Sequence, residues 1–87
     1  MYGVRHHIND EFPEFNTIIE RLKNTNQQFA RLLEKYNAAD KEIYGYEQRR
    51  QPVTDSYLEQ LKKWRLQLKD QLYNMLRQNH HTYQSTH

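Results

Sequence analysis

Eighty-seven residues allow at most one domain, and with only 36% apolar side chains any core has to be a thin stripe rather than a filled globule. A mean hydropathy of −1.22 and 28% charged residues would suit a disordered chain, but a net charge of +2 and 13% aromatics do not, so the apolar residues must be placed periodically. The absence of cysteine excludes disulfides, thiolate catalysis and cysteine-held metals; no apolar run approaches the roughly 20 residues that span a bilayer, and the opening MYGVRHHINDEF lacks the apolar core of a signal peptide, so a cytoplasmic protein without membrane contact is expected.

The first helix is expected to begin between Asp10 and Glu14, because Pro13 suits an opening turn whose amide has no partner to lose. From there Phe15, Leu22, Phe29, Tyr36 and Ile43 recur in heptads, and Ile18, Thr25, Leu32, Ala39 and Tyr46 follow three positions later, which is the pattern of a coiled-coil seam. Asn24, Thr25 and Asn26 interrupt it. Their side chains compete for backbone hydrogen bonds and predict a kink or a fresh helix start there.

The periodicity fades over 45–51, and Pro52 disfavours helical geometry both at itself and at Gln51, so the turn falls there. Thr54 is a natural N-cap, Asp55 suits the positive end of the helix dipole, and Val53 is placed to staple onto Leu58. In the second helix Tyr57, Leu58, Leu61, Trp64, Leu68, Leu72, Met75 and Leu76 lie within about 60° of one line, predicting a single buried face. Leu66 and Tyr73 stand off that line as a second apolar ridge. After Arg77 the sequence turns polar, so 78–87 is read as a flexible tail behind an ordered core of about 10–77. The expected fold is therefore all-α, a single antiparallel two-helix, coiled-coil-like hairpin with helices near 13–48 and 55–77.

Taken together, Glu11-Phe-Pro-Glu-Phe15, Leu22-Lys23, Phe29-Ala-Arg-Leu32, Tyr36, Asp40-Lys-Glu-Ile43, Glu47, Thr54-Asp55, Leu61-Lys-Lys63, Arg65-Leu66, Leu68-Lys-Asp70 and Leu72-Tyr73 resemble the YdcH-like family of small bacterial proteins of unknown function. The resemblance spans about residues 6–77, and its most specific pieces are EFPEF and LKKWRLQLKDQLYNML. It implies a cytoplasmic helical hairpin with no assigned activity, catalytic residue or cofactor. The chain departs from the family pattern at Asn26 and Gln28, where an acidic residue and a histidine are common, and at Trp64, where a polar residue is common.

No glycine-rich phosphate loop, nucleophile motif or converging acid pair is present, so no catalytic residue, cofactor or small-molecule substrate is assigned and a non-enzymatic chain is expected. His6, His7, His80 and His81 would approach one another in a hairpin, but adjacent histidines diverge by about 100° on a helix, so no metal site is assigned. Glu59 and Lys63 read as a solvated helix pair. Because the first helix is longer than the second can cover, the overhang around Phe15, Ile18, Ile19 and Leu22 has to be buried by a fold-back or by a second subunit, and Phe12, Phe15, Ile18, Ile19 and Leu22, with Leu66 and Tyr73, form the candidate interface for a protein partner or a second copy. The alternative is a nucleic-acid-associated protein using Arg49, Arg50, Lys62, Lys63 and Arg65, although interleaved acids leave no uniformly positive face.

Overall fold

The computed structural model describes residues 4–49 and 54–85, with side chains through 48 and over 54–80. The chain is all-α: α1 (Ile8–Glu11), a 3₁₀ turn (Pro13–Phe15), α2 (Asn16–Thr25), α3 (Gln27–Arg49) and α4 (Asp55–Ser85), with no strand among the described residues. That is two more α-helices than a two-helix hairpin contains, and both come from the N-terminal third.

Phe12, at φ −131°, separates α1 from the turn that Pro13 opens. The break foreseen at 24–26 is present. Asn26 is extended (φ −126°, ψ 108°), and its Oδ1 accepts the Phe29 amide at 3.0 Å, capping α3. On the other side, Asn24 Nδ2 and Thr25 Oγ1 donate to the carbonyls of Glu20 and Arg21, at 2.9 and 2.7 Å, and close the last turn of α2.

Thr54 caps α4 as expected, its Oγ1 accepting the Tyr57 amide at 3.1 Å. The proposed Val53 staple, and Pro52 itself, lie outside the described residues. The helix continues to Ser85, past the expected end near Arg77, because neither glycine nor proline follows to break it. Asn79 Nδ2 donates to the Met75 carbonyl at 2.7 Å, and the His80 ring meets the Phe15 ring edge-on at 5.4 Å. The core also begins earlier than residue 10, since Ile8 is 2% exposed.

One continuous cluster joins Ile8, Phe15, Ile18, Ile19 and Leu22 to Phe29, Leu33 and Tyr36 of α3 and to Leu68, Leu72 and Leu76 of α4. Two features of the expected seam are corrected. In α3, Leu33 and Asp40 are buried while Leu32 is half-buried, and Thr25, at the end of α2, is exposed. In α4, Trp64 and Tyr57 leave the core, with 43% and 39% of their surface in solvent. Both shifts have the same cause. The N-terminal segment is a third packing partner, so α3 and α4 each rotate their buried face toward it instead of presenting it squarely to one another.

Candidate functional site

A polar knot forms where three parts of the chain meet. Asp40, on the buried side of α3, is 1% exposed. Its Oδ2 accepts the Arg5 Nε at 2.6 Å, its Oδ1 accepts an Arg65 Nη1 at 2.9 Å, and the His6 amide reaches both oxygens, at 3.1 and 3.2 Å. Burial pushes the Asp40 carboxyl up, but the hydrogen bonds from Arg5, the His6 amide and Arg65 outweigh it and hold the group below the usual carboxylate range. One turn earlier, the Tyr36 hydroxyl donates to the His6 carbonyl. Desolvation, followed by the nearby Glu11 and Asp40 charges, raises that hydroxyl well above the ordinary tyrosine value, so it remains a donor. Thus Arg5 and His6 are tied to α3 by side chain and backbone together. Sequence reasoning missed this knot; the signal available was Asp40 sitting at a seam-adjacent position, one residue after Ala39, where a carboxylate needs partners.

Beside the knot, a cleft of about 280 Å³ runs between the N-terminal segment and α4. Its cations each face an acid: Lys62 Nζ lies 3.4 Å from Glu47 Oε2, Arg65 is held by Asp40, and Lys69 Nζ lies 3.2 Å from Glu11 Oε1. Of the alternative nucleic-acid set, Lys62 and Arg65 are therefore neutralised within the fold, and Lys63 points to a different side of α4, exposed. The Arg49 side chain and Arg50 lie outside the described residues.

The interface candidates separate as well. Phe15, Ile18, Ile19 and Leu22 are buried in the chain's own core, because the break at Asn26 lets α2 fold back onto α3 and α4. Phe12 and Tyr73 are half-buried, with rings 5.1 Å apart, and Phe15 stands 6.1 Å from the same Tyr73 ring. The overhang that motivated this set is covered intramolecularly. Only Leu66 of the set, at 52%, remains a large exposed apolar side chain.

Among the described side chains, His6 and His80 are not brought together. His6 lies beside Glu11, its Nδ1 3.7 Å from Oε1, in the cleft that Lys69 also lines, whereas His80 sits eleven residues further along α4, about 16 Å at 1.5 Å per residue. Among the described residues no group of three or more histidine, aspartate or glutamate side chains is placed to hold a metal. No described helix is long and apolar enough to cross a membrane.

What α4 does offer is an outer face that touches α3 at its Tyr57 end and is exposed beyond it. Tyr57 packs edge-on against Tyr46 at 6.0 Å and donates its hydroxyl to Glu42 Oε2 at 2.6 Å; that hydrogen bond, more than any burial, pushes the phenol up to about 12. Trp64 follows two turns later, exposed. No ion pair joins Glu59 to Lys63 among the described residues.

Residues 29–82, which take in most of α3 and of α4, match the family described as "Protein of unknown function (DUF465)". The "Uncharacterized protein YdcH" of Escherichia coli (strain K12) is 39% identical over 67 residues, covering 77% of this chain and 90% of that protein, and the protein of the same name from Shigella flexneri matches equally. No solved structure matches the chain. With a family match over more than half its length and relatives this similar along nearly their whole sequence, the chain belongs to the DUF465 family of YdcH-like bacterial proteins.

Proposed function

We infer that this protein is a small, non-enzymatic, cytoplasmic interaction module: a coiled-coil-like hairpin of α3 and α4, completed by the N-terminal segment, that acts through protein contact. The observation that carries the reading is Trp64. A tryptophan 43% exposed on an uncovered helix face carries a large apolar surface that solvent does not favour, and aromatic residues of this kind are enriched at protein interfaces. The titratable groups give catalysis little support, since Asp40, Glu11 and Glu47 are each engaged by a cation within the fold. Nucleic-acid association has less support than protein contact, because Lys62 and Arg65 already have carboxylate partners.

The test is capture of partners from the native cell at low and high salt, using the whole chain and a Trp64→Ala variant. The reading expects a protein that is retained in high salt and lost with Trp64→Ala. Recovery of RNA or DNA that falls away steeply with salt would overturn it in favour of nucleic-acid association.

A further inference from the structure

The outer face of α4 has a composition at odds with the rest of the chain. Tyr57, Gln60, Trp64, Gln67, Gln71 and Asn74 recur at alternating steps of three and four residues, and all six are exposed. None carries a charge, in a protein in which 28% of residues do. Spacing of this kind keeps one stripe in line along a helix over about 26 Å and is the register in which a second helix docks.

We propose that this stripe is a two-fold interface at which α4 of one copy packs antiparallel on α4 of a second copy. The proposal deepens the interaction-module reading by naming the partner.

Direction follows from the flanks. In the antiparallel register Tyr57 meets the second copy's Asn74, Gln60 meets its Gln71 and Trp64 meets its Gln67. Every member of the stripe is thereby paired with another member, and the two-fold axis falls between Trp64 and Gln67. The same register sets Lys63 beside the second copy's Asp70, and symmetry repeats that pair on the other side. Lys63 and Asp70 are both exposed, and among the described residues neither has an ion-pair partner within its own fold. A parallel arrangement would instead set Lys63 against Leu68, which is buried, and would leave both charges without a complement. Charge complementarity therefore selects the antiparallel copy.

Strength follows from size. A seam about 26 Å long on a single helix covers less than the roughly 800 Å² per partner of a standard complex, so the dimer is weak, with a Kd on the order of 10 to 500 µM.

Sedimentation equilibrium of the full chain from about 1 µM to 1 mM should show a reversible monomer–dimer equilibrium. Lys63→Glu or Asp70→Lys alone places like charges in contact at both symmetric positions and should weaken the dimer roughly fivefold or more, whereas the double exchange restores complementarity and should return Kd to within about twofold of the parent. Trp64→Ala should abolish association over this range. All of these positions are exposed, so helicity and melting temperature should match the parent and serve as the folding control. A monomer throughout, single variants that dimerise like the parent, or a double exchange that fails to restore association would each overturn the proposal. A strictly monomeric chain that still loses a captured protein on Trp64→Ala would remove the second copy as occupant and leave the interaction-module reading standing.

Discussion

Replacing Asp40 by alanine tests how the N-terminal segment is held. The carboxylate is 1% exposed and receives Arg5 at 2.6 Å, Arg65 at 2.9 Å and the His6 amide at 3.1 and 3.2 Å, so its removal strands two guanidiniums and an amide at once. Removing one partner of a buried ion pair costs about 3–5 kcal/mol; Arg5 and Arg65 keep 28% and 19% of their side-chain surface in water, which lowers the expected loss to about 2–4 kcal/mol. In a domain of this size each kcal/mol moves Tm by about 4–8 °C, so Asp40→Ala should melt roughly 10–25 °C below the parent by circular dichroism. Asp40→Asn should recover little, because its amide turns a donor toward groups that are all donors. Replacing the whole knot, with Arg5→Met, Asp40→Leu and Arg65→Met together, should recover most of the loss, since no charge is then left unpaired. The pH dependence has a definite sign. The folded-state value of Asp40 is depressed, so its contribution is complete above the ordinary 3.8 and disappears as pH falls through the folded value. Parent stability should therefore drop more steeply than that of Asp40→Asn below about pH 4.5. An Asp40→Ala protein that melts within about 2 °C of the parent would refute this account of how the segment is anchored.

Phe29→Ala and Leu68→Ala should each cost about 2–5 kcal/mol in urea unfolding, because both side chains are at most 1% exposed and truncation leaves a cavity at the centre of the cluster. Asn26→Ala removes the acceptor of the Phe29 amide and should cost about 1 kcal/mol, while Asn26→Asp, which keeps that acceptor, should come within a few tenths of the parent in the same assay. Tyr57, pushed up to about 12 chiefly by its hydrogen bond to Glu42, should ionise after an ordinary tyrosine in an ultraviolet titration. Its raised value means that any stability it adds is present below about pH 10 and lost as pH rises toward 12. In Glu42→Gln the Tyr57 transition should move back down; superimposable titration curves would break the assignment.

Much of the helical content was legible from the sequence. Thr54 and Pro13 carry local stereochemistry that acts wherever they stand, and the polar run at 24–26 offered side-chain bonds in place of helical ones, so an N-cap, an opening turn and a break could be read from them directly. The angular position of each buried face could not. Heptad spacing fixes which residues share a side, but the centre of that side depends on how many neighbours pack against it. One neighbour would have placed Trp64 and Leu32 inward; the N-terminal segment, arriving as another, drew Leu33, Asp40 and Arg65 in and left Trp64 out. The interface candidates are divided for the same reason. Ile18, Ile19 and Leu22 overhang α4 only where α2 runs on into α3; the extended Asn26 folds them back instead, the first of the two routes open to them, and makes them core.

The family match covers most of α3 and of α4, whereas α1, the 3₁₀ turn and α2 precede it, yet the two parts share one core here. Ile8, Phe15, Ile18, Ile19 and Leu22 share one apolar cluster with the matched helices, and the most deeply placed charge of the matched part, Asp40, has Arg5 of the preceding part as a partner. This division of contacts determines what α4 can offer to anything else. One side of the helix is taken by α3, through Tyr57 with Tyr46 and Arg65 with Asp40; the next is taken by the N-terminal segment, through Lys69 with Glu11 and Tyr73 with Phe12. The charges not used in those contacts, Glu59, Lys63, Asp70 and Arg77, fall on the far side, where solvation favours them. Beyond Tyr57, the stripe from Gln60 to Asn74 lies between the α3 contact and these charges and, among the described residues, has neither apolar cover nor charge. A second helix satisfies both conditions at once, because it covers Trp64 and gives the glutamines amide partners instead of water.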